Sequence, residues 1–297
     1  MSTEKRLDEV YAKAQRIRID SNSRIVCMSD CHRGVGNRGD NFLFNQNLFF
    51  AALEYYYNRC YTYAELGDGD ELWENPSLKK IVEIHSDAFW MMSRFYRQGR
   101  FIQLFGNHDR RKSRKEYVEA HCGRYCDSRD CIECLLSGLE VAEGVVLEDY
   151  DRGREIMLVH GHQGDFLNDT LWRLSAFLVR FVWRKLELLG VYDPTSAARN
   201  YDRRKKTEKR LEAWAEKRGI MVIAGHTHRS VLPVPGESLY LNDGSCVHPR
   251  CITALELENE MLTLVKWSIK TVCGKTLSVE REVLAGPYSL RQYWTEK

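Results

Sequence analysis

Short apolar runs punctuate this chain, and each stops abruptly at Asp, Asn or His. Ile25-Val26-Cys27-Met28 leads into Ser29-Asp30-Cys31-His32, residues 61–66 into Gly67-Asp68, and residues 101–105 into Gly106-Asn107-His108-Asp109. Residues 156–159 end in His160-Gly161-His162, and residues 221–224 in Gly225-His226-Thr227-His228. Runs of this length read as strands buried on both faces, and in open α/β sheets ligands gather beyond the carboxyl ends of such strands. The pattern predicts five strands that deliver polar groups to one rim of one sheet.

Helical spacing is expected between the strands, over 42–58 and 77–98, which gives the strand-helix alternation of an α/β sheet. Leu7, Val10, Tyr11, Ala14 and Ile17 recur at helical spacing and predict an amphipathic first helix. After the last His block, 230–234 and 238–242 flank Pro235-Gly236 and read as a hairpin, with Pro233 demoting its first strand to an edge. Residues 250–257 and 261–269 alternate around Asn259-Glu260 as a further antiparallel pair. These late strands are expected to form a second sheet packed on the first.

Residues 165–219 depart most from a minimal sheet. Their first half is apolar nearly all round but interrupted by Arg173, Arg180, Arg184 and Lys185; a second helix is expected over 195–217, with the basic runs Arg203-Arg204-Lys205-Lys206 and Lys209-Arg210. The segment reads as a helical insertion in a single domain spanning 1–297. It is a hairpin with a solvated charged face, a cap over the site, or an apolar surface for a lipid tail, a membrane or a partner.

At 297 residues with 43% hydrophobic content the chain can bury a sizeable core, and a net charge of +2 nominates neither nucleic acid nor an acidic membrane as partner. Charges within residues 1–10 exclude the apolar core of a signal peptide there, and no apolar run approaches a membrane span. A cytoplasmic location is expected, with contact to the inner face of a membrane through the insertion as its variant. The ten cysteines are then expected as thiols. Cys122, Cys126, Cys131 and Cys134, with His121, leave a structural zinc site open, although only the last Cys-x-x-Cys has a familiar spacing. Gly34-Val35-Gly36-Asn37-Arg38-Gly39 imitates a dinucleotide loop, yet it stands too far from its strand and lacks the distal acid; its amides are instead candidates for anion binding.

The chemistry lies in the strand-end blocks. Six of the nine histidines fall there. Carboxylate, amide oxygen and imidazole together suit borderline first-row divalent metals such as Mn, Fe or Zn. Cysteines are absent from most of the constellation, which argues against a thiolate site.

The series Asp30-x-His32, Gly67-Asp68-x-x-Glu71, Gly106-Asn107-His108-Asp109, His160-Gly161-His162 and Gly225-His226-x-His228 resembles the calcineurin-like metallophosphoesterase superfamily, with all five blocks in order between residues 25 and 228. The second block departs from the usual pattern by ending in Glu71, followed by Leu72-Trp73. That variant is similar to the UDP-2,3-diacylglucosamine pyrophosphatase branch, where a helical insertion shapes a lipid-binding site. The resemblance implies a four-layer α/β/β/α sandwich with two divalent metals where both sheets end. It places Asp30, His32 and His228 on one metal and Asn107, His160 and His226 on the other, with Asp68 bridging. His108 would stand beside the leaving group as general acid or electrostatic stabiliser, oriented by Glu71. His162 remains an alternative to His160. Arg33, Arg110 and Arg229, each directly after a block, are candidates to grip a substrate phosphate, or ordinary surface arginines.

The expected activity is hydrolysis of phosphoric esters or pyrophosphates by in-line attack of a metal-bridging hydroxide, on a phosphorylated small molecule or lipid-linked substrate. A nuclease or protein phosphatase would use the same centre, and a non-catalytic metal scaffold is the third class. The oligomeric state is not legible.

Overall fold

The computed structural model describes residues 2–126, 132–149, 153–165, 168–169, 171–183, 200–272, 274 and 276–294. Helix α1 (Thr3–Lys13) starts at Ser2, whose hydroxyl accepts from the Lys5 amide, and buries Leu7 and Val10. It ends where Ala14 becomes extended, and Gln15–Ile19 continues as strand β1. The predicted helix therefore stops short of Ala14 and Ile17, because residues 15–19 pair in parallel with β7 (Gly144–Asp149).

Strands β2 (Arg24–Met28), β3 (Thr62–Leu66) and β4 (Phe101–Leu104) alternate with α2 (Gln46–Asn58) and with α3 (Leu78–Ile84) and α4 (Ser86–Arg97), which break at His85. A short helix, α5 (Lys115–Cys122), leads to a small ribbon of β5 (Arg124–Cys126) and β6 (Ile132–Cys134). After β7 come β8 (Arg154–Val159), α6 (Trp172–Leu178) continued by a π-helical turn at Val179–Trp183, and α7 (Tyr201–Arg218). The chain closes with β9 (Met221–Ala224), β10 (Tyr240–Asn242), β11 (Cys251–Glu258), β12 (Met261–Val272) and β13 (Thr276–Ser289).

The strands form two mixed sheets, ordered β1-β7-β8-β9-β10 and β13-β12-β11-β2-β3-β4. This corrects the expectation of one rim on one sheet. The blocks after β2, β3 and β4 belong to one sheet, and those after β8 and β9 to the other. The late strands do not form the second sheet either, because β11 pairs antiparallel with β2 and so extends the first motif sheet. The 230–242 hairpin is corrected as well. Only Val231 bridges Asn242, and β10 instead runs parallel to β9. Proline at 233, lacking an N–H, suits that early end of pairing.

Alternate residues explain the layers. Ile25 and Cys27 face Val145, Leu147, Ile156 and Leu158 of the other sheet, whereas Val26 and Met28 face α2 and α4 through Phe49, Leu53, Phe89 and Phe95. On the far side, Leu7 and Val10 of α1 with Leu211, Trp214 and Ala215 of α7 cover Val146, Met157 and Val222. The result is helix, sheet, sheet, helix, with each sheet apolar on both faces, hence the continuous apolar runs.

The segment expected as an insertion over 165–219 therefore has two fates. Helix α7 is an outer layer of the sandwich, its basic residues Lys205, Lys206, Lys209 and Arg210 exposed. Helix α6 lies at the strand-end rim, where Arg180 donates to the carbonyls of Trp73 and Leu72 at 2.8 and 3.0 Å. Residues 184–199 lie outside the described residues. So do the side chains of Cys126, Cys131 and Cys134, on which the zinc expectation rested; Cys122 is a buried thiol. Among the described residues no helix is long and apolar enough to cross a membrane.

Candidate metal centre

The strand-end blocks converge where both sheets stop. Asp30, His32, Asp68, His226 and His228 all have left-handed backbones, with φ between 47 and 67°. For residues other than glycine this conformation costs about 1 to 3 kcal/mol each, and it persists only where the surroundings impose it. Two glycines make the crowding feasible. A Cβ on Gly106 would fall 2.1 Å from Asp68 Oδ1, and one on Gly67, at φ +93°, would fall 2.7 Å from the Gly106 nitrogen.

Asp30, His32 and His228 bring one ligand atom each within 4.8 Å of one another, and so do Asp68, His160 and His226. In the first group Asp30 Oδ1 is 3.1 Å from His228 Nε2 and 3.7 Å from His32 Nε2, and the two Nε2 atoms are 3.3 Å apart. In the second, Asp68 Oδ2 is 3.1 Å from His160 Nε2. The same Oδ2 lies 3.9 Å from His32 Nε2, so Asp68 stands between the groups. Bonds of about 2.1 Å to a divalent ion put neighbouring ligand atoms about 3 Å apart, the spacing seen here.

Their hydrogen bonding fits cations better than it fits the protein alone. Asp30 Oδ1, Asn107 Oδ1, His160 Nε2 and His226 Nε2 are buried without a hydrogen-bond partner, and such orphans are rare in folded proteins. The close approaches at Asp30 and His160 lack hydrogen-bond geometry. His160 Nδ1 donates to the Leu66 carbonyl at 2.9 Å, and His32 Nδ1 to Glu71 at 2.9 Å, so each Nε2 is the nitrogen left to face the centre. Outer partners of this kind orient metal-binding imidazoles.

The electrostatics agree. Burial alone would raise the Asp30 carboxyl, but His228 and His32 hold it well below the ordinary range. Burial pulls His160 down and Asp68 outweighs it, pushing the imidazole up to about 9. Burial and neighbouring His160 lower His226 to about 4, leaving it neutral. Positive charge is thus favoured beside the two carboxylates, where a proton on His160 stands in the place a cation would take, and resisted on His226.

His108 stands at the edge of this centre. Its Nδ1 is 2.8 Å from Glu71, its backbone amide donates to Asp68 Oδ1 at 2.8 Å, and its ring stacks on Trp73 at 4.1 Å. The group of His32, Glu71 and His108 could also gather around an ion, but these nitrogens already have Glu71 as acceptor. His162 stays an alternative, its ring 5.4 Å from His160 and 6.4 Å from His226 and both its nitrogens buried without a hydrogen-bond partner. It lies within reach of Glu143 and Asp169, and those carboxylates are engaged by Arg6 and Arg110. Cys31 turns into the core under the helices.

The three arginines open to either reading, a phosphate grip or an ordinary surface role, are each engaged by a carboxylate, and of them Arg33 alone is fully buried and corrected on both counts. Arg33 is fully buried, bound to Glu65 at 2.7 and 3.0 Å and to Asp70 at 2.7 Å. Arg229 forms a two-pronged pair with Glu208 at 3.0 and 2.7 Å, and Arg110 pairs with Asp169 at 2.9 Å. Each followed a block in sequence, but each meets a carboxylate that the sequence places far away. The 34–39 loop does not offer its amides to an anion either, since Gly36 donates to Asp40 and Gly39 to Asn37.

A sixth strand-end block was missed. β10 runs into Asn242-Asp243-Gly244-Ser245, and Asn242 Nδ2 donates to the Gly225 carbonyl at 2.7 Å, holding the turn before His226. Ser29 Oγ is 2.6 Å from Asp30 Oδ2 and 2.7 Å from Asp243 Oδ1. Burial and Asp30 push the Asp243 carboxyl well up, while the Ser29 hydroxyl, which stands between the two carboxyls, pulls it down. The apolar-run-then-Asn-Asp grammar was present there, hidden by the hairpin reading.

No protein-family model matches the chain, and no curated protein does. Among solved structures, vacuolar protein sorting 29 of Cryptosporidium parvum aligns over 90% of this chain and 100% of its own at 13% identity and a TM-score of 0.39. The inner-membrane-complex anchor GAP50 of Plasmodium aligns over 89% of both chains at 11% identity and a TM-score of 0.41. A candidate 5′-nucleotidase of Staphylococcus aureus aligns over 89% of this chain and 54% of its own at 14% identity and a TM-score of 0.36. At these scores the likenesses carry no argument about chemistry, which rests on the side chains above.

Proposed function

We propose that this protein is a metal-dependent hydrolase of phosphoric esters or pyrophosphates, of the calcineurin-like metallophosphoesterase type its motifs resemble. One observation supports the reading: two groups of ligand atoms, of which Asp30 Oδ1, His160 Nε2 and His226 Nε2 are buried without a hydrogen-bond partner, are joined through Asp68 Oδ2, with His108 held at their edge. Asp30, His32 and His228 would hold one divalent ion, and Asn107, His160 and His226 the other. Such ions supply a Lewis acid and lower the pKa of water enough for hydroxide near neutral pH.

The chain's own residues do the rest. Glu71 accepts from His108 Nδ1 and so leaves Nε2 facing outward, where it can donate a proton to a departing oxygen. Glu71 and Asp68 outweigh the effect of burial and keep that ring protonated above the ordinary histidine pKa. Trp73, stacked on it, restricts its rotation and excludes water from one face. Within this class the pyrophosphatase branch is the finer reading, supported by Glu71-Leu72-Trp73 and by α6 at the rim.

The test is hydrolysis of nitrophenyl mono- and diesters and of pyrophosphates by protein reconstituted with Mn, Fe or Zn. Turnover that needs metal and falls in His108→Ala supports the proposal. Full metal binding with no hydrolysis of any of the three would overturn it.

A further inference from the structure

Beside His108 opens a cavity of about 410 Å³, lined on one side by Leu72, Trp73 and Tyr117 and on the other by Trp172, Phe177 and Phe181. That volume falls in the range of small-molecule sites. Four arginines, Arg111, Arg114, Arg173 and Arg180, share the lining, and among the described residues no Asp or Glu does. Arg180 is spent on the carbonyls of Leu72 and Trp73, which ties α6 to the metal-side loop. Arg111, Arg114 and Arg173 form no ion pair with a carboxylate among the described residues. Arg173 lies over the Trp172 ring at 5.5 Å, presenting a guanidinium and an aromatic face together.

In a chain with nearly as many acids as bases, three arginines without carboxylates around one aromatic cavity need an explanation. A neutral apolar group would gain nothing from them, whereas an anion would form charge-assisted hydrogen bonds to their planar forks. We infer that the cavity beside His108 binds a leaving group made of a flat apolar body that carries an anionic group of its own, in addition to the phosphorus under attack. The rings hold the body, and Arg111, Arg114 and Arg173 hold the charge. This deepens the phosphoester reading and rests on it for the word leaving group; the binding preference stands on the cavity alone.

Two experiments separate those parts. Metal-free protein is titrated with naphthol and with naphthol sulfonate, following quenching of tryptophan fluorescence, to which Trp73 and Trp172 contribute. The sulfonate should bind roughly tenfold tighter, the least expected of one hydrogen-bonded charge. Arg111→Ala and Arg173→Ala together should erase the difference. Arg173 is exposed, so Arg173→Ala alone serves if the double variant unfolds, and it should shrink the difference. Equal binding by the wild type, or a preference that survives in the variants, overturns the inference. On metal-loaded protein, kcat/KM for naphthyl phosphate with and without the ring sulfonate is then compared. Hydrolysis without discrimination also overturns the inference. Discrimination in binding without hydrolysis upholds the cavity and removes the phosphoesterase reading.

Discussion

Glu71 and His108 form a 2.8 Å contact through Oε1, while the other oxygen of the same carboxylate lies 2.9 Å from His32 Nδ1. One side chain thereby sets the tautomer of a metal-ligand candidate and of the proton-donor candidate. Burial would raise the Glu71 carboxyl, but the two imidazoles hold it far below the ordinary range. Glu71→Gln keeps an oxygen for the rings but loses the charge that both of them face, so it should lower metal affinity or activity about 10- to 100-fold. His108→Ala should slow turnover about 10² to 10⁴-fold while metal content is retained. Metal analysis and kinetics on both variants check the division, and loss of metal from His108→Ala would count against it.

Cation binding should show in stability as well as in rate. At free Mn²⁺ 100 times its dissociation constant, the folded state should gain about 2.7 kcal/mol per site. Asp68→Asn should lose most of that gain, because the shared oxygen between the groups is weakened. Urea denaturation with and without metal measures this directly, and an undiminished gain in the variant would rule Asp68 out as a ligand.

Arg33 has a structural task. It sits at 0% exposure between Glu65 and Asp70, and Lys112 joins Asp70 and Asp109 in the same buried network. Arg33→Leu leaves Glu65 without its counter-charge and Asp70 with Lys112 alone, and the expected loss is about 3 to 5 kcal/mol of stability. An effect under 1 kcal/mol in denaturation, or a rise in KM without destabilisation, would return Arg33 to substrate binding.

The loop after His32 depends on Asp40, whose Oδ2 meets His85 Nε2 at 2.8 Å and accepts the Gly36 amide at 2.9 Å. Partial burial opposes ionisation of Asp40, yet His85 and these amides lower its pKa in the folded state. A carboxyl with a depressed folded pKa stabilises the fold fully above its unfolded pKa of about 3.9, and that stability is lost as pH falls through the lower folded value. Asp40→Asn should therefore be less stable than wild type at pH 7, with the gap narrowing below about pH 4. A gap of constant size across that range would exclude the linkage.

The sequence made the blocks legible because buried strands leave unbroken apolar runs and because Asp, Asn and His repeat at their ends. It did not show which strands are neighbours. A strand covered on both faces looks alike in either sheet, and the pairing of β11 with β2 depends on residues more than 220 positions apart, as in Leu255 opposite Cys27. β1 was hidden because Ala14 and Ile17 extend the spacing of α1 by chance, although Gln15-Arg16-Ile17-Arg18-Ile19 alternates as an edge strand should. The partners of Arg33, Arg110 and Arg229 were not legible for one reason: the carboxylates that occupy them lie 32, 59 and 21 positions away.

The left-handed turns at Asp30, His32, Asp68, His226 and His228 carry a consequence for protein engineering. Glycine accepts that backbone freely, so replacing any of these five relaxes a local contortion while deleting a donor atom. A variant chosen only for a higher melting temperature in chelator would drift toward glycine here and become sturdier as it grew inert. Selection for heat resistance in this chain must therefore be run with the ions present.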